Sequence, residues 1–434
     1  MAMWHVRMVA MAVVVSVALP TAARAQSLSQ LMLSQFLQQI ATAKTPGGEG
    51  IVAHTGTFSQ NDLSGVTTLV QQVSAQIGAQ VSNVPLGSSS GGFTYTYDVA
   101  RGTFERSTQT FGPAFAERAE TIGRGRLSFG MTWQHGRYTS LDGKSLENGD
   151  IKFFLPHQTL SPPSFVSGDM IEADVHLRLS SDATVLFASY GITNAFDVAV
   201  AVPIDHVSMT LTYHATIDDF ATHVTSPLTH VFPNGAKSED FTSSGSATGI
   251  GDVIVRGKYS LSRGKAQGVA LGVDLRLPSG DAANMLGTGA TEAEIYVIGS
   301  ATQGRLAPHV NVGYTVANRG ISSEFDYVGG LEFDASPKLT LVGDVLGRSF
   351  RTATRIVDNP TLHTFQESDG GPTEAAILPT IGTQSGGYTS VLATIGAKFN
   401  PYRTLLVSAH LVFTLTDAGL KRGVTPVLGF DYAF

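Results

Sequence analysis

Segments in which apolar and polar residues alternate follow one another along most of this 434-residue chain. The run Val269–Arg276 is an example, because its odd positions are valine or leucine and two of its even positions are aspartate and arginine. A period of two indicates a β-strand with one apolar and one polar face. After residue 25 no apolar stretch approaches about 18 residues, which disfavours a protein that crosses a membrane with helices. The chain is therefore predicted to be all-β.

Turn signals divide the alternating region into twelve predicted strands. Short links alternate with long ones at about 219–247, 278–291 and 351–387. This alternation is typical of antiparallel transmembrane β-barrels, whose short turns face the periplasm and whose long loops face outward. Fourteen strands is the alternative, if 149–157 joins the wall or 170–190 splits. The predicted strands are 125–138, 170–190, 196–217, 249–261, 267–277, 292–302, 307–317, 325–334, 339–350, 388–399, 404–415 and 424–434.

The composition agrees with a barrel in lipid. Only 15% of the residues are charged, against about 25% in a soluble domain. The formal charge of −7 disfavours a nucleic-acid-binding protein, which would present a basic surface. The chain has no cysteine, which excludes a disulfide scaffold and a thiol nucleophile. We expect lipid, rather than a second layer of protein, to cover the apolar face of each strand.

Both ends of the sequence indicate export. Residues 1–25 have a basic start, the apolar core Met8–Leu19 and the small-residue site Ala23-Arg24-Ala25, which together predict a signal peptide. The final run Leu428–Phe434 alternates and resembles the last strand of bacterial outer-membrane barrels, whose terminal aromatic residue is read by the barrel assembly machinery. The expected assembly signal consists of Phe430, Tyr432 and Phe434.

The region between the signal and the barrel has a different pattern. Helical spacing over Leu33–Ile40 and Val66–Val84 predicts two amphipathic helices. We therefore divide the mature chain into an N-terminal plug or periplasmic segment, 26–120, and a barrel, 121–434. Aromatic residues of the first segment could contact an apolar ligand in the lumen, or could serve only to pack a plug. These residues are Phe93, Tyr95, Tyr97, Phe104, Phe111 and Phe115.

The polar faces of the strands carry charges of both signs. We place these residues on the inner wall, because ionisable side chains need a water-filled lumen when lipid surrounds the barrel. They could form an ion-pair network that holds a plug or sets selectivity, or they could simply solvate the lumen. The lumen-facing candidates are Glu172, Asp174, His176, Arg178, Asp252, Arg256, Lys258, Asp274, Arg276, Asp344 and Arg348.

Catalytic motifs are absent from the sequence. It contains no Gly-x-Ser-x-Gly elbow on a strand-to-helix turn, no His-Glu-x-x-His pair and no phosphate-binding loop. Membrane lipase barrels need a histidine on the lipid face, and His135 shares a face with Leu127–Trp133 but has no evident serine partner. We therefore expect neither an enzyme nor a metal or cofactor site.

Short motifs carry a resemblance to a known family. They are Phe111–Arg118, Thr121–Gly130, Tyr190–Asp197, Gly249–Asp252, Val273–Asp281 and Leu286–Gly289. Together they resemble the outer-membrane family named for the meta-cleavage pathway of phenol degradation, which is grouped with barrel transporters for fatty acids and aromatic hydrocarbons. The resemblance implies a barrel among outer-membrane lipids that takes up small hydrophobic or aromatic compounds by diffusion. The alternative is a structural or surface-recognition barrel without a transported substrate.

Overall fold

The computed structural model describes the chain in several stretches. They are residues 26–40, 60–82, 87–88, 92–98, 103–106, 109–156, 169–219, 231–232, 234–263, 267–365 and 374–434. The predicted signal peptide lies outside them. Two predicted helices are present, α1 (Leu28–Ile40) and α2 (Gln60–Val81). Neither of these described helices combines the length and hydropathy needed to cross a bilayer.

The rest of the described chain is mainly β-structure. In chain order its strands are β1 (Tyr95–Asp98), β2 (Thr103–Arg106), β3 (Leu127–Leu141), β4 (Lys144–Ser145), β5 (Ile151–Pro156), β6 (Asp169–Gly191), β7 (Phe196–Asp219), β8 (Ser238–Ile250), β9 (Ile254–Arg263), β10 (Gln267–Arg276), β11 (Glu292–Ala301), β12 (Leu306–Ala317), β13 (Glu324–Ser336), β14 (Leu339–Asp358), β15 (Thr361–Phe365), β16 (Glu374–Leu378), β17 (Ile381–Tyr402), β18 (Leu405–Thr414), β19 (Leu420–Arg422) and β20 (Thr425–Ala433). Between β10 and β11, a short 3₁₀ turn spans Ala282–Asn284.

Twelve strands close into one antiparallel barrel, which confirms the predicted fold class and strand count. They are β3, β6, β7, β9 to β14, β17, β18 and β20. Each of the twelve pairs with the next of the twelve along the chain. The last, β20, closes the ring on β3, where Phe430 lies opposite Met131. The fourteen-strand alternative is wrong, because β6 is one unbroken strand and β5, among the described residues, pairs only with residues 170–175 of β6 and does not enter the ring.

The barrel has two unlike ends. At the end that we call the short-turn end, tight links join β6 to β7, β9 to β10, β11 to β12, β13 to β14, and β17 to β18. At the opposite, long-loop end, β6, β7, β14 and β17 extend well beyond their neighbours. The β6–β7 extension is widened by β5 on one side and by β8 on the other. The β6–β7 extension therefore forms a wall that continues beyond the ring at the long-loop end.

The apolar side chains of β7 change faces part way along the strand. Near the short-turn end, Val200 and Ile204 occupy even positions on the outer face and are 38% and 40% exposed. Beyond Asp205 the apolar residues occupy odd positions, from Val207 to Ile217, and are buried on the inner face. Strand β7 is continuous through this point, so the change does not come from a break in the strand. What changes is the surroundings of its two faces. The lower outer face meets lipid, whereas the inner face of the extension packs against α1 and α2.

Four residues predicted on the inner wall lie instead on the outer face of the β6 extension, and this part of the prediction is wrong. They are Glu172, Asp174, His176 and Arg178. They share even positions with the exposed Tyr190, while the odd residues from Ile171 to Leu179 are buried against the helices. A polar face identifies the lumen only where lipid surrounds the strand. Above the membrane the outside is water, so the polar face points outward.

An ion-pair cluster on this outer face supports the correction. The Lys152 ammonium of β5 lies 2.5 Å from Glu172 Oε1 and 3.0 Å from Asp174 Oδ1. All three side chains are between a quarter and a third exposed. The hydrogen bond from its ammonium to Glu172 raises the pKa of Lys152. Because the cluster is wet, it contributes little to stability.

The change of faces predicts a large loss of stability for one arginine substitution on an outer face and almost none for another. Leu271→Arg places a charge on the outer face of β10, where Leu271 is 39% exposed, and should destabilise the barrel by about 2–4 kcal/mol in lipid vesicles. Ser246→Arg, on the outer face of the β8 extension, should change stability by less than about 0.5 kcal/mol. Urea unfolding in vesicles measures both values. Equal costs would contradict a lipid boundary between these two positions.

Candidate functional site: a chamber inside the barrel

Residues 109–126, which we call the plug segment, cross the interior near the short-turn end without regular secondary structure. The N–H groups of such a backbone need acceptors in the wall. Asp344 Oδ2 accepts the N–H groups of Ala114 and Phe115, each at 3.0 Å. Four more inward side chains, Thr340, Glu332, Asn311 and Asp197, accept those of Phe111, Gly112, Glu117 and Ile122.

Two charged side chains attach the plug segment to the wall. Glu117 accepts hydrogen bonds from the Arg256 guanidinium and, at 3.1 Å, from the Lys258 ammonium. Arg118 donates to Glu332, with 2.9 Å between its Nε and Oε1. The Arg118 and Glu332 side chains are only 2% and 1% exposed. Charges buried this deeply are tolerated only when they are paired.

The other predicted inward charges have different partners. Asp274 accepts from Arg256 and, at 3.1 Å, from the Tyr296 hydroxyl. Asp252 is buried but accepts from the backbone of Gly280 and Thr288, so it holds the loop between β10 and β11 rather than the plug segment. Arg276 lies beside Glu292, and Arg348 donates to Glu324.

Helix α2 lies across the long-loop end. Its apolar side, which includes Val73 and Ile77, packs on the β6–β7 wall. Its glutamine side faces the β14–β17 extension. Gln72 accepts from Thr383 of β17 at 2.7 Å, and Gln76 donates at 3.0 Å to Asp142, which follows β3 and itself accepts from Ile356 N of β14. The helix therefore bridges the two extensions.

A chamber of about 470 Å³ lies between α2 and the plug segment. Gln76 of α2 lines it on one side, and Phe115 and Glu117 of the plug segment line it on the other. Ligand pockets have volumes of about 300–1,000 Å³, and a cavity of about 150 Å³ is enough for benzene. The chamber can hold an aromatic ring together with substituents. The aromatic side chains of its wall are Tyr296, Tyr327, Phe350 and Tyr388.

These wall aromatics were not predicted from the sequence. Tyr296 and Tyr327 occupy inward positions directly opposite Gly272 and Gly347 of the neighbouring strands, a pairing that only the strand register reveals. Each glycine leaves the space that the ring occupies. An aromatic residue on the polar face, opposite a glycine, indicates a ring that lies flat against the inner wall.

The aromatic candidates of the N-terminal segment are distributed differently. Phe93 and Phe111 are buried together, with ring centroids 5.6 Å apart, and pack against Leu406 and Ala433. This arrangement agrees with the packing interpretation for these two residues. Among the candidates whose side chains are described, only Phe115 lines the chamber. The side chains of Tyr95, Tyr97 and Phe104 lie outside the described residues.

The predicted assembly residues Phe430, Tyr432 and Phe434 share one face at the short-turn end. That face is the outer one, since Leu428 on the same parity is 52% exposed and Phe434 is 63% exposed. The rings of Tyr432 and Phe434 lie 4.7 Å apart. The buried Asp431 alternates with them and faces inward.

Comparison with solved structures finds other membrane barrels at low sequence identity. An outer membrane channel from Pseudomonas putida F1 is 13% identical, with 73% of this chain and 98% of that chain covered and a TM-score of 0.44. A Pseudomonas aeruginosa FadL homologue is 11% identical over 71% and 89% of the two chains, with a TM-score of 0.30. The Ralstonia pickettii toluene transporter TbuX is 11% identical over 72% and 90%, with a TM-score of 0.25.

Sequence comparison gives a more specific result. No curated protein matches the chain. A family model described as "Putative MetA-pathway of phenol degradation" matches residues 174–406, from the β6 extension to the start of β18. The matched region includes the inner-wall residues Arg256, Asp274 and Arg348 and is more than half of the sequence. The chain therefore belongs to the family of the MetA pathway of phenol degradation.

Proposed function

We propose that this protein is an outer-membrane channel for the passive uptake of small hydrophobic or aromatic compounds. The observation that carries the proposal is the chamber of about 470 Å³, lined by aromatic rings and enclosed within a closed barrel. The apolar outer band is suited to lipid, and its short turns would face the periplasm. The phenol-degradation family points to aromatic compounds as the substrate class.

In this proposal, a compound enters past α2, rests in the chamber and leaves past the plug segment. The chamber offers ring surfaces such as Tyr327 and Phe350 together with the amides of α2, a combination that suits a mostly apolar ligand with a polar substituent. Diffusion down a gradient is the simplest mechanism, because the sequence has no phosphate-binding loop. No catalytic step is part of the proposal.

The proposal includes the processing and assembly of the chain. Residues 1–25 would be removed as a signal peptide, and residues 26–120 would fill the barrel formed by 121–434 as its plug. The barrel assembly machinery would read Phe430, Tyr432 and Phe434, of which Phe434 is 63% exposed.

A substitution that fills the chamber tests the proposed function. Ala79 faces the chamber from α2, and Ala79→Trp should reduce both the binding and the flux of toluene several-fold, because the indole occupies ligand space. Flux is measured as the entry of radiolabelled toluene into vesicles whose outer leaflet is lipopolysaccharide. Ser244→Trp, on the exposed outer face of β8, is the matched control and should keep wild-type flux.

Equal flux in protein-free vesicles and in vesicles with the wild-type protein would contradict the channel proposal. That result would favour the structural or surface-recognition alternative. Wild-type flux in Ala79→Trp would show that compounds do not pass through the chamber.

A further inference from the structure

The charges that line the chamber are unbalanced toward acid. Six carboxylates face it, against four guanidinium groups. The acidic residues are Glu117, Asp274, Glu292, Glu294, Glu324 and Asp326. Whether an anion or a cation can enter depends on which of these charges are already neutralised within the protein.

The arginines of the chamber are already engaged. Arg256 binds Asp274, with 2.5 Å between Nη2 and Oδ2, and also binds Glu117 of the plug segment. Arg348 binds Glu324 at 2.5 Å. Arg276 lies 3.4 Å from Glu292. The fourth arginine, Arg422, lies 5.1 Å above the ring of Tyr138 and 3.5 Å from a backbone carbonyl of α2. An incoming anion would therefore have to displace a carboxylate from Arg256, Arg276 or Arg348, or draw Arg422 away from Tyr138 and the end of α2.

Three of the carboxylates keep acceptor oxygens without donors among the described residues. Glu292 Oε1 and Glu324 Oε2 have no hydrogen-bond partner there, although their side chains are only 7% and 5% exposed. Glu294 forms no hydrogen bond and no ion pair within the same described part of the chain. The cost of leaving the buried oxygens of Glu292 and Glu324 unpaired is high, so this part of the wall favours a ligand that donates hydrogen bonds.

These three glutamates lie on one patch of wall. Thr315 of β12 pairs in register with Glu294 of β11 on one side and with Glu324 of β13 on the other. Glu292 is two residues from Glu294 on the same face of β11. Tyr296 follows on that face, so an aromatic ring adjoins the acidic patch.

From this arrangement we infer that the patch formed by Glu292, Glu294 and Glu324 binds organic cations, in particular aromatic or alkyl ammonium compounds. The ammonium N–H groups would satisfy the unpaired carboxylate oxygens, and the neighbouring tyrosine face would favour the positive charge. Carboxylates of the same size would be repelled. The inference rests on the proposed function and adds charge selectivity to it.

Three probes of equal size and different charge test the inference. Benzylammonium, benzyl alcohol and benzoate are titrated at neutral pH into the purified full-length protein in detergent, and binding is followed by calorimetry. We expect benzylammonium to bind most tightly and benzoate most weakly. Glu294→Gln should weaken benzylammonium about tenfold, because an amide cannot ionise beside the bound ammonium, and should leave benzyl alcohol unchanged. Glu147→Gln, whose glutamate binds the exposed Arg137 outside the barrel, is the matched control.

The outcomes separate this inference from the channel proposal. If benzyl alcohol binds and benzylammonium binds no more tightly, or if Glu294→Gln has no effect on benzylammonium, the cation site is overturned and the channel proposal stands. If none of the three probes binds the wild-type protein, both fail. Retained binding of benzyl alcohol by Glu294→Gln shows that the variant is folded.

Discussion

Replacing Arg118 with alanine is expected to release the plug segment and to give a barrel that conducts ions continuously. Arg118 and Glu332 form a pair that is almost completely buried, and Glu332 also accepts the N–H group of Gly112 at 3.0 Å. Removing one partner of such a pair leaves the other buried charge without its guanidinium partner, at a cost of about 3–5 kcal/mol. The cost is avoided if the segment moves away and water reaches Glu332.

Single-channel recording in planar bilayers measures this effect. Arg118→Ala should show long open periods where the wild type is mostly closed, and limited proteolysis should cut it within residues 109–126. Arg124→Ala is the matched control, because Arg124 lies in the same segment with its side chain exposed. Gel mobility of unheated protein reports whether each barrel is folded. A folded Arg118→Ala barrel that stays closed would show that this pair does not hold the plug segment.

Replacing Asp142 with alanine is expected to loosen α2 at the long-loop end. The Asp142 side chain is fully buried and accepts four hydrogen bonds. Their donors are Gln76 Nε2 at 3.0 Å, Arg355 Nε at 3.1 Å, Ile356 N at 2.8 Å and Gly419 N at 2.8 Å. One carboxylate therefore joins α2, the β14 extension and the loop before β19. Each buried donor left without a partner costs about 1–3 kcal/mol.

Backbone geometry adds to this effect. Asp142 has a φ of 51°, in the left-handed region that aspartate and asparagine tolerate better than alanine. Hydrogen exchange should therefore become much faster over residues 60–82 in Asp142→Ala, while exchange in β10 to β12 stays unchanged. Asp142→Asn keeps an acceptor oxygen and the backbone preference, so it should show a smaller change. Unaltered exchange in α2 of the alanine variant would contradict the role of Asp142 as a junction.

The N-terminal segment shows how far sequence patterns reach. Helical spacing predicted both helices, and its aromatic residues suggested a plug. The contacts of this segment could not be predicted, because its partners are distant in sequence. Gly112 binds Glu332, and Gln76 binds Asp142. Such hydrogen bonds depend on which strands the closed ring brings together, and a local pattern carries no information about that closure.

The chamber was predicted only in part. Arg256, Asp274, Arg276 and Arg348 were recognised as inward charges from their position on polar faces, and all four line the cavity. Glu294 was not among the predicted lumen-facing residues, and the wall aromatics were not predicted to line the lumen. Their importance comes from what surrounds them, namely engaged arginines and opposing glycines.

The sequence alone predicted an antiparallel barrel of twelve or fourteen strands with unlike ends, because strand periodicity and turn length are local properties. Only the tertiary structure decided whether the polar or the apolar face of β6 and β7 points inward at each position along the barrel axis. A period of two distinguishes two faces, but it does not say which face meets lipid, water or protein. On β7 the apolar side chains change from the outer to the inner face beyond Asp205, where the lipid-facing part gives way to the extension and the helices replace lipid as the apolar partner.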